Sequence, residues 1–273
     1  MVMNKEKNNL ISASELKKKL NNKKIKIVDA RWFLEDLQKG KKLYDKLHIP
    51  KAIFFDINNL SDKTSDLPHM LPKKQIFKKY LDENGISKED EIIVYDHIGF
   101  FSSARVWFTF KYFGFNKVKI LNESFLMWEK KNFPTDNKTH KKETTNNKLT
   151  ENKNLLEKKA FIEKNIKSKN ILVIDARSRN RFLGIEKEPR ENLKSGNIPG
   201  SINIPYSSLS KNGKFLNYRD LSKVFNTKLS LKQKIICSCG SGITACNLIF
   251  ALDILGYNNV KLYDGSWAEW GKK

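Results

Sequence analysis

Apolar runs of roughly four to six residues recur along the chain, separated by longer stretches with helix-like spacing, a pattern that predicts buried parallel strands joined by crossover helices. The runs come in matched pairs. Lys26 to Arg31 reads KIVDAR and Leu172 to Arg177 reads LVIDAR; each is a short strand ending in Asp-Ala-Arg. In the same order, His48 to Pro50 with Ala52 to Asp56 answers Asn197 to Pro199 with Ser201 to Pro205. Glu91 to Asp96 answers Lys234 to Cys239, and Gly114 to Ile120 answers Gly256 to Leu262. The offset stays between 142 and 149 residues, as expected of one duplicated unit. The fold class is therefore α/β: two tandem domains, each a parallel sheet flanked by helices on both faces.

The domains are expected at residues 1–134 and 160–273, a division that suits a 273-residue chain. Ser12 and Glu15 have the spacing of a capping box and open the first helix. Residues 135–159 are rich in Lys, Asn, Thr and Glu, with almost no large apolar residue before Leu155, and read as a mobile polar linker. Leu155 to Ile166 can also be read as a charged surface helix leading into Phe161.

The net charge of +22 raises nucleic-acid binding as a function class. The lysines are scattered through helices, loops and linker, without an RNA- or DNA-binding signature, so a solvated basic surface is the better reading. No apolar run is long enough to cross a membrane, and the N-terminus lacks the apolar core of a secretory signal; a cytoplasmic protein without membrane or specific nucleic-acid partners is expected. Three cysteines, Cys237, Cys239 and Cys246, lie within ten residues. That clustering argues against a disulfide framework, and without a nearby His it lacks a fourth zinc ligand, so neither metal nor cofactor is expected.

The most informative segment is Lys234 to Ile249, KIICSCGSGITACNLI. An apolar strand runs into Cys239, a glycine-containing turn follows, and a helix begins near Thr244. Such a turn aims successive backbone N–H groups inward, where they and the positive helix end stabilise an anion or thiolate. Gly240 and Gly242 permit the backbone angles of a tight cradle. In the first repeat, the position of Cys239 is held by Asp96, which has no thiol to act as nucleophile. The first domain is thus expected to be catalytically silent.

Cys239 to Thr244 (CGSGIT) resembles the active-site loop of the 3-mercaptopyruvate sulfurtransferases, tandem-domain members of the rhodanese superfamily whose thiosulfate-using relatives usually carry CRKGVT. Arg181-Phe182, Glu188 to Arg190, His69 to Pro72, Ser102 to Trp107 and Tyr263 to Trp267 also resemble family segments, so the likeness covers nearly the whole chain outside the linker. It implies that Cys239 takes sulfur from 3-mercaptopyruvate as a persulfide, releases pyruvate and passes the sulfur to cyanide, a small thiol or reduced thioredoxin. It further implies Ser241 and His69 as catalytic partners of Cys239. Substrate binding falls to Arg181, Arg190, Gly240, Gly242, Ile243 and Thr244. Without the resemblance, Arg181 and Arg190 would read as surface ion pairs with Glu186, Glu188 or Glu191.

The family's acidic partner for that His aligns with Asn58, which cannot act as a base; Asp56 and Asp62 are the alternatives. Cys237 and Cys246 read as buried structural thiols, and Arg31 and Arg177, present in both repeats, as structural ion pairs. A phosphatase loop of the Cys-x5-Arg type is excluded by Ala245. The competing functions are thiosulfate:cyanide sulfur transfer and a non-catalytic sulfur-binding or docking tandem domain.

Overall fold

The computed structural model describes residues 9–140, 143–225, 229 and 233–273. The first sheet comprises β1 (Leu10–Ile11), β2 (Ile25–Asp29), β3 (Ile53–Phe54), β4 (Glu91–Tyr95) and β5 (Val118–Leu121), in the order β1-β5-β4-β2-β3. The second contains β6 (Leu156–Glu157), β7 (Ile171–Asp175), β8 (Ile202–Asn203), β11 (Lys234–Ser238) and β12 (Val260–Tyr263), in the order β6-β12-β11-β7-β8. Both sheets are wholly parallel and repeat one topology, as the matched motifs require. A small antiparallel hairpin, β9 (Ser210–Lys211) and β10 (Lys214–Phe215), projects from the second domain. The capping box forms: Ser12 Oγ accepts the Glu15 N–H at 3.2 Å, and the Glu15 carboxylate accepts the Ser12 N–H at 3.0 Å.

Arg31 forks onto the Asp29 carboxylate and donates to Leu47 O at 2.7 Å; Arg177 forks onto Asp175 and donates to Gly196 O, also at 2.7 Å. All four side chains are buried. Each pair thus ties a strand end to a distant loop, in both repeats.

The linker departs from its sequence-based expectation. Among its described residues, Asn147 is buried, with its amide donating to Asp82 Oδ1 and Ile86 O at 2.8 and 2.7 Å, and Leu149 is buried. The Asn152 N–H donates to Tyr112 O at 2.8 Å. Scattered side chains thus pin a polar strap to the first domain. Strand β6, inside the expected linker, is already an edge of the second sheet. The segment from Leu155 to Ile166 is a short turn, that strand and a helix, Lys159–Lys164.

The helices that follow the two equivalent loops, Ser103–Tyr112 and Ala245–Ile254, are apolar around nearly their whole circumference, so each needs protein on every side. They pack on each other, with Trp107 edge-on to Phe250 at 5.0 Å, and one apolar core runs through both domains. Phe215 of the hairpin packs on Phe100 in the first domain's loop at 4.5 Å.

In that loop Asp96 fills the cradle with its own carboxylate. It accepts the N–H groups of Gly99, Phe101, Ser102 and Ser103 at 2.7, 2.8, 2.9 and 2.9 Å, and is 2% exposed. Replacing it strands four donors, so Asp96→Ala should lower unfolding stability by roughly 3 kcal/mol, with Asp96→Asn intermediate. Urea denaturation measures this; a loss within about 0.5 kcal/mol of zero, the scale of a neutral surface change, would mean the cradle does not need its anion.

Candidate active site

Strand β11 pairs with β7 through Cys237 opposite Ile174 and Ser238 opposite Asp175, so Cys239 is the first residue beyond the carboxyl end of a central parallel strand. Crevices at that end are where open α/β sheets place ligands. Cys239 is 1% exposed and borders a cavity of about 290 Å³ between the domains. Its loop is splinted from behind by the segment after β12: the Cys239 N–H donates to Ser266 Oγ at 3.1 Å, Trp267 N–H to Cys239 O at 2.9 Å, and Ala268 N–H to Gly240 O at 2.8 Å.

By the repeat, the N–H groups that grip Asp96 correspond to those of Gly242, Thr244, Ala245 and Cys246. The last turns to Ile243 O at 3.2 Å, while the other three donate to no described residue. The second cradle therefore presents unused donors where the first holds a carboxylate. The two glycines serve different needs. Gly242 has φ +78°, and a Cβ there would meet Asp264 Oδ1 at 2.7 Å. Gly240 needs no positive φ; a Cβ there would crowd Arg181 Nη2 at 3.0 Å, so closeness of the guanidinium, not backbone angle, explains it.

Arg181, Arg190, Gly240, Ser241, Ile243 and Thr244 line the cavity together with Cys239. The two arginines are not equivalent. Arg181 is paired with Glu188 at 2.5 Å, and the same buried carboxylate holds Arg177 at 2.7 Å, so the ion-pair reading is realised for Arg181. Arg190 has no carboxylate partner among the described residues; it reaches only Ser241 Oγ, at 3.4 Å. Burial, with Arg181 nearby, holds its guanidinium below the ordinary value. A guanidinium so placed, half-buried and without a carboxylate among the described residues, has the donors to pair with one.

His69 comes from the first domain and reaches across the boundary, its Nδ1 2.9 Å from Ser241 Oγ. Burial lowers its pKa to about 3, helped by Arg190, Arg105 and Lys63, so the ring is neutral at physiological pH. None of the expected acids touches it. Asn58 Oδ1 accepts from Trp32 Nε1 at 2.9 Å, Asp56 is turned to Asn59, and Asp62 to Thr64. His69 thus meets a serine but, among the described residues, no carboxylate. Instead, the edge of Trp32, 5.0 Å away, packs against the imidazole.

Cys237 and Cys246 are fully buried, and burial raises both thiols, Cys246 to about 12; Cys246 Sγ donates to Gly242 O at 3.3 Å. Sequence reasoning did not single out the aromatic walls Trp32, Phe101 and Tyr206, nor Glu188, Asp264 and Ser266 as supports. The motifs containing Glu188 and Asp264 were visible, but only folding shows what they hold. A somewhat larger cavity, about 320 Å³, lies over Asp96 and His97. Its cradle donors are already taken by Asp96, whereas three at the Cys239 cavity are not.

The rhodanese-like domain pattern matches residues 12–131 and again 159–273. Over 263 residues the chain is 33% identical to the 3-mercaptopyruvate sulfurtransferase of Mus musculus, covering 94% of this chain and 89% of that protein. It is 34% identical over 254 residues to the thiosulfate sulfurtransferase of Rattus norvegicus, covering 91% and 86%. The crystal structure of SseA from Escherichia coli, described as a 3-mercaptopyruvate sulfotransferase, superposes with a TM-score of 0.86 at 33% identity, over 95% of this chain and 98% of that one. No described helix is long and apolar enough to cross a membrane. With the duplicated sheet, the strand-end cysteine loop and these likenesses extending through both halves, the chain belongs to the rhodanese-like domain family and stands among its two-domain sulfurtransferases.

Proposed function

We propose that the protein transfers sulfur from 3-mercaptopyruvate through a Cys239 persulfide to a small thiol, a thioredoxin or cyanide. The observation that carries this reading is the unpaired Arg190 beside Cys239, next to a cradle whose own side chains add no positive charge. The Cys239 thiolate attacks the substrate's thiol sulfur, the carbon–sulfur bond breaks, and its electron pair leaves on the carbon as the enolate of pyruvate. Arg190 holds the carboxylate, with Arg181 beside it. In the tautomer carrying its proton on Nδ1, His69 donates to Ser241 Oγ, as does Arg190. The Ser241 hydroxyl proton is then free to point at the substrate's carbonyl oxygen, where negative charge develops. The cradle N–H groups of Gly242 and Thr244, with Ile243 as apolar wall, hold the persulfide anion. A second nucleophile removes the outer sulfur and returns Cys239 as thiolate. The three unpaired thiols suit a reducing compartment such as the cytoplasm.

Thiosulfate is the second reading, favoured by relatives whose names include it. It is a compact dianion, which a loop with charged side chains would suit better than Gly240 and Ser241. Pyruvate and sulfite release, measured with an acceptor thiol, separate the two donors. Mercaptopyruvate should be preferred, Cys239→Ser should abolish transfer, and Arg190→Ala should raise its KM by about 10- to 100-fold, the loss of a charge-assisted hydrogen-bonded pair. A preference for thiosulfate would overturn the donor assignment, and absence of turnover with both would leave a docking protein.

The neutral His69 leaves a second signature. Its folded pKa lies below the unfolded value near 6.5, so between about pH 6.5 and 3 the unfolded chain binds the extra proton. This contribution is complete above pH 6.5 and is lost as pH falls through that window. Between pH 7 and 5 the loss should be on the order of 1–2 kcal/mol. Urea titrations of wild type and His69→Gln at both pH values isolate it: the variant should lack this part of the acid destabilisation, and parallel curves would count against a buried neutral imidazole.

A further inference from the structure

We propose that Arg105 and Asp264 are an interdomain positioning pair that sets His69 against Ser241, so that sulfur uptake from the donor depends on them more strongly than discharge of the persulfide to cyanide. This inference rests on the sulfurtransferase reading and deepens it: the first domain contributes not only a histidine but, in Arg105, half of the clamp that aims it.

Arg105 stands in the apolar helix Ser103–Tyr112 and is 3% exposed. Its Nη1 donates to Asp264 Oδ1 at 2.6 Å and to Gly242 O at 3.2 Å, while Nη2 donates to His69 O at 2.5 Å. Asp264 in turn uses Oδ2 to accept the Leu71 N–H at 2.8 Å. The two side chains therefore grip the backbone on both sides of the His69–Ser241 contact: His69 and Leu71 in the first domain, Gly242 in the cysteine loop. His69 holds φ +61°, a conformation a histidine keeps only when its surroundings impose it. On the other side, Asp264 fills the space beside Gly242 and starts the segment that splints Cys239 through Ser266.

Neither Arg105 nor Asp264 lines the cavity at Cys239, so they act through His69 and Gly242 rather than on substrate. The planar guanidinium is required by the geometry. It satisfies three acceptors on three chain segments from one fork, which a lysine ammonium, although equally charged, cannot span. In the proposed chemistry His69 and Ser241 serve the departing enolate. Cyanide attack on a finished persulfide needs only the cradle, which the pair touches at Gly242, and not the His69–Ser241 contact.

The test separates the half-reactions in Arg105→Lys and Asp264→Asn. Donor uptake is read as single-turnover pyruvate release; discharge is read as persulfide lost to cyanide after loading with inorganic polysulfide. Uptake should slow by about 10- to 100-fold, the effect of misplacing a positioned group by around an ångström, with discharge slowed at least about fivefold less than uptake. Equal slowing of both steps, or unchanged uptake, would overturn the proposal. A thermal melt run alongside identifies a variant that has merely lost its fold, and Asp264→Asn, which keeps the side chain's shape, then carries the test. If wild type itself releases no pyruvate, the donor reading fails, and the pair is judged by NMR titration of the four histidines. His69 faces Arg190, Arg105, Lys63, the Ser241 hydroxyl and the Trp32 edge. Its signal should stay pH-independent above pH 5 in wild type and titrate in Arg105→Lys as the clamp opens; identical behaviour in both would overturn the positioning role.

Discussion

A parallel strand that ends in a tight turn before a helix leaves several backbone N–H groups converging on one point, and burial requires that something negative occupy it. In the first domain that requirement is met by the Asp96 carboxylate, which takes four of them. In the second, a sulfur stands at the equivalent position. A single backbone geometry thus gives a structural plug in one repeat and a reactive centre in the other. The difference is one side chain: the Asp96 carboxylate saturates its donors, whereas the Cys239 thiol leaves them available to an anion.

Division of labour between the repeats follows from the helices behind those loops. Because Ser103–Tyr112 and Ala245–Ile254 are apolar on nearly all sides, neither domain can leave its own exposed without a large hydrophobic penalty. Packing them together makes one core from two domains and fixes the two loops beside a common cleft. That rigid relation is what allows a histidine in one domain to meet a serine in the other at 2.9 Å.

The paired strands, the equivalence of Asp96 and Cys239, the cysteine loop and the capping box were legible because each depends on a local pattern: apolar runs, a repeated order of motifs, glycines at fixed places. The linker was misjudged for the opposite reason. Its composition is that of a solvated chain, yet Asn147 and Leu149, two side chains among many polar ones, tie it down through partners over 60 residues away. The supports of the site were hidden likewise. Arg105 lies in a run of apolar residues, where a lone cation implies a buried partner, but Asp264 lies 159 positions on, and nothing local joins them. Asn58 was recognised as a departure from the family pattern; only the fold shows that it is occupied with the Trp32 indole and that no other acid replaces it.

Charge around the cavity completes the argument for donor choice. Arg177 is compensated by Asp175 and Glu188, and Arg181 by that same Glu188, leaving Arg190 as the cation without a carboxylate among those facing Cys239. The site therefore asks for two separate negative centres: one at the cysteine loop, where unused N–H groups converge, and one at Arg190. In the proposed reaction a mercaptopyruvate anion attacked by a thiolate would supply that pair, with its carboxylate remote from the reacting sulfur. Thiosulfate concentrates its charge in one compact group and leaves one of the two poles unmet. In the proposed cycle, departure of pyruvate would leave Arg190 again without a carboxylate, so that the same positive field would favour approach of the next nucleophile, a thiolate or cyanide.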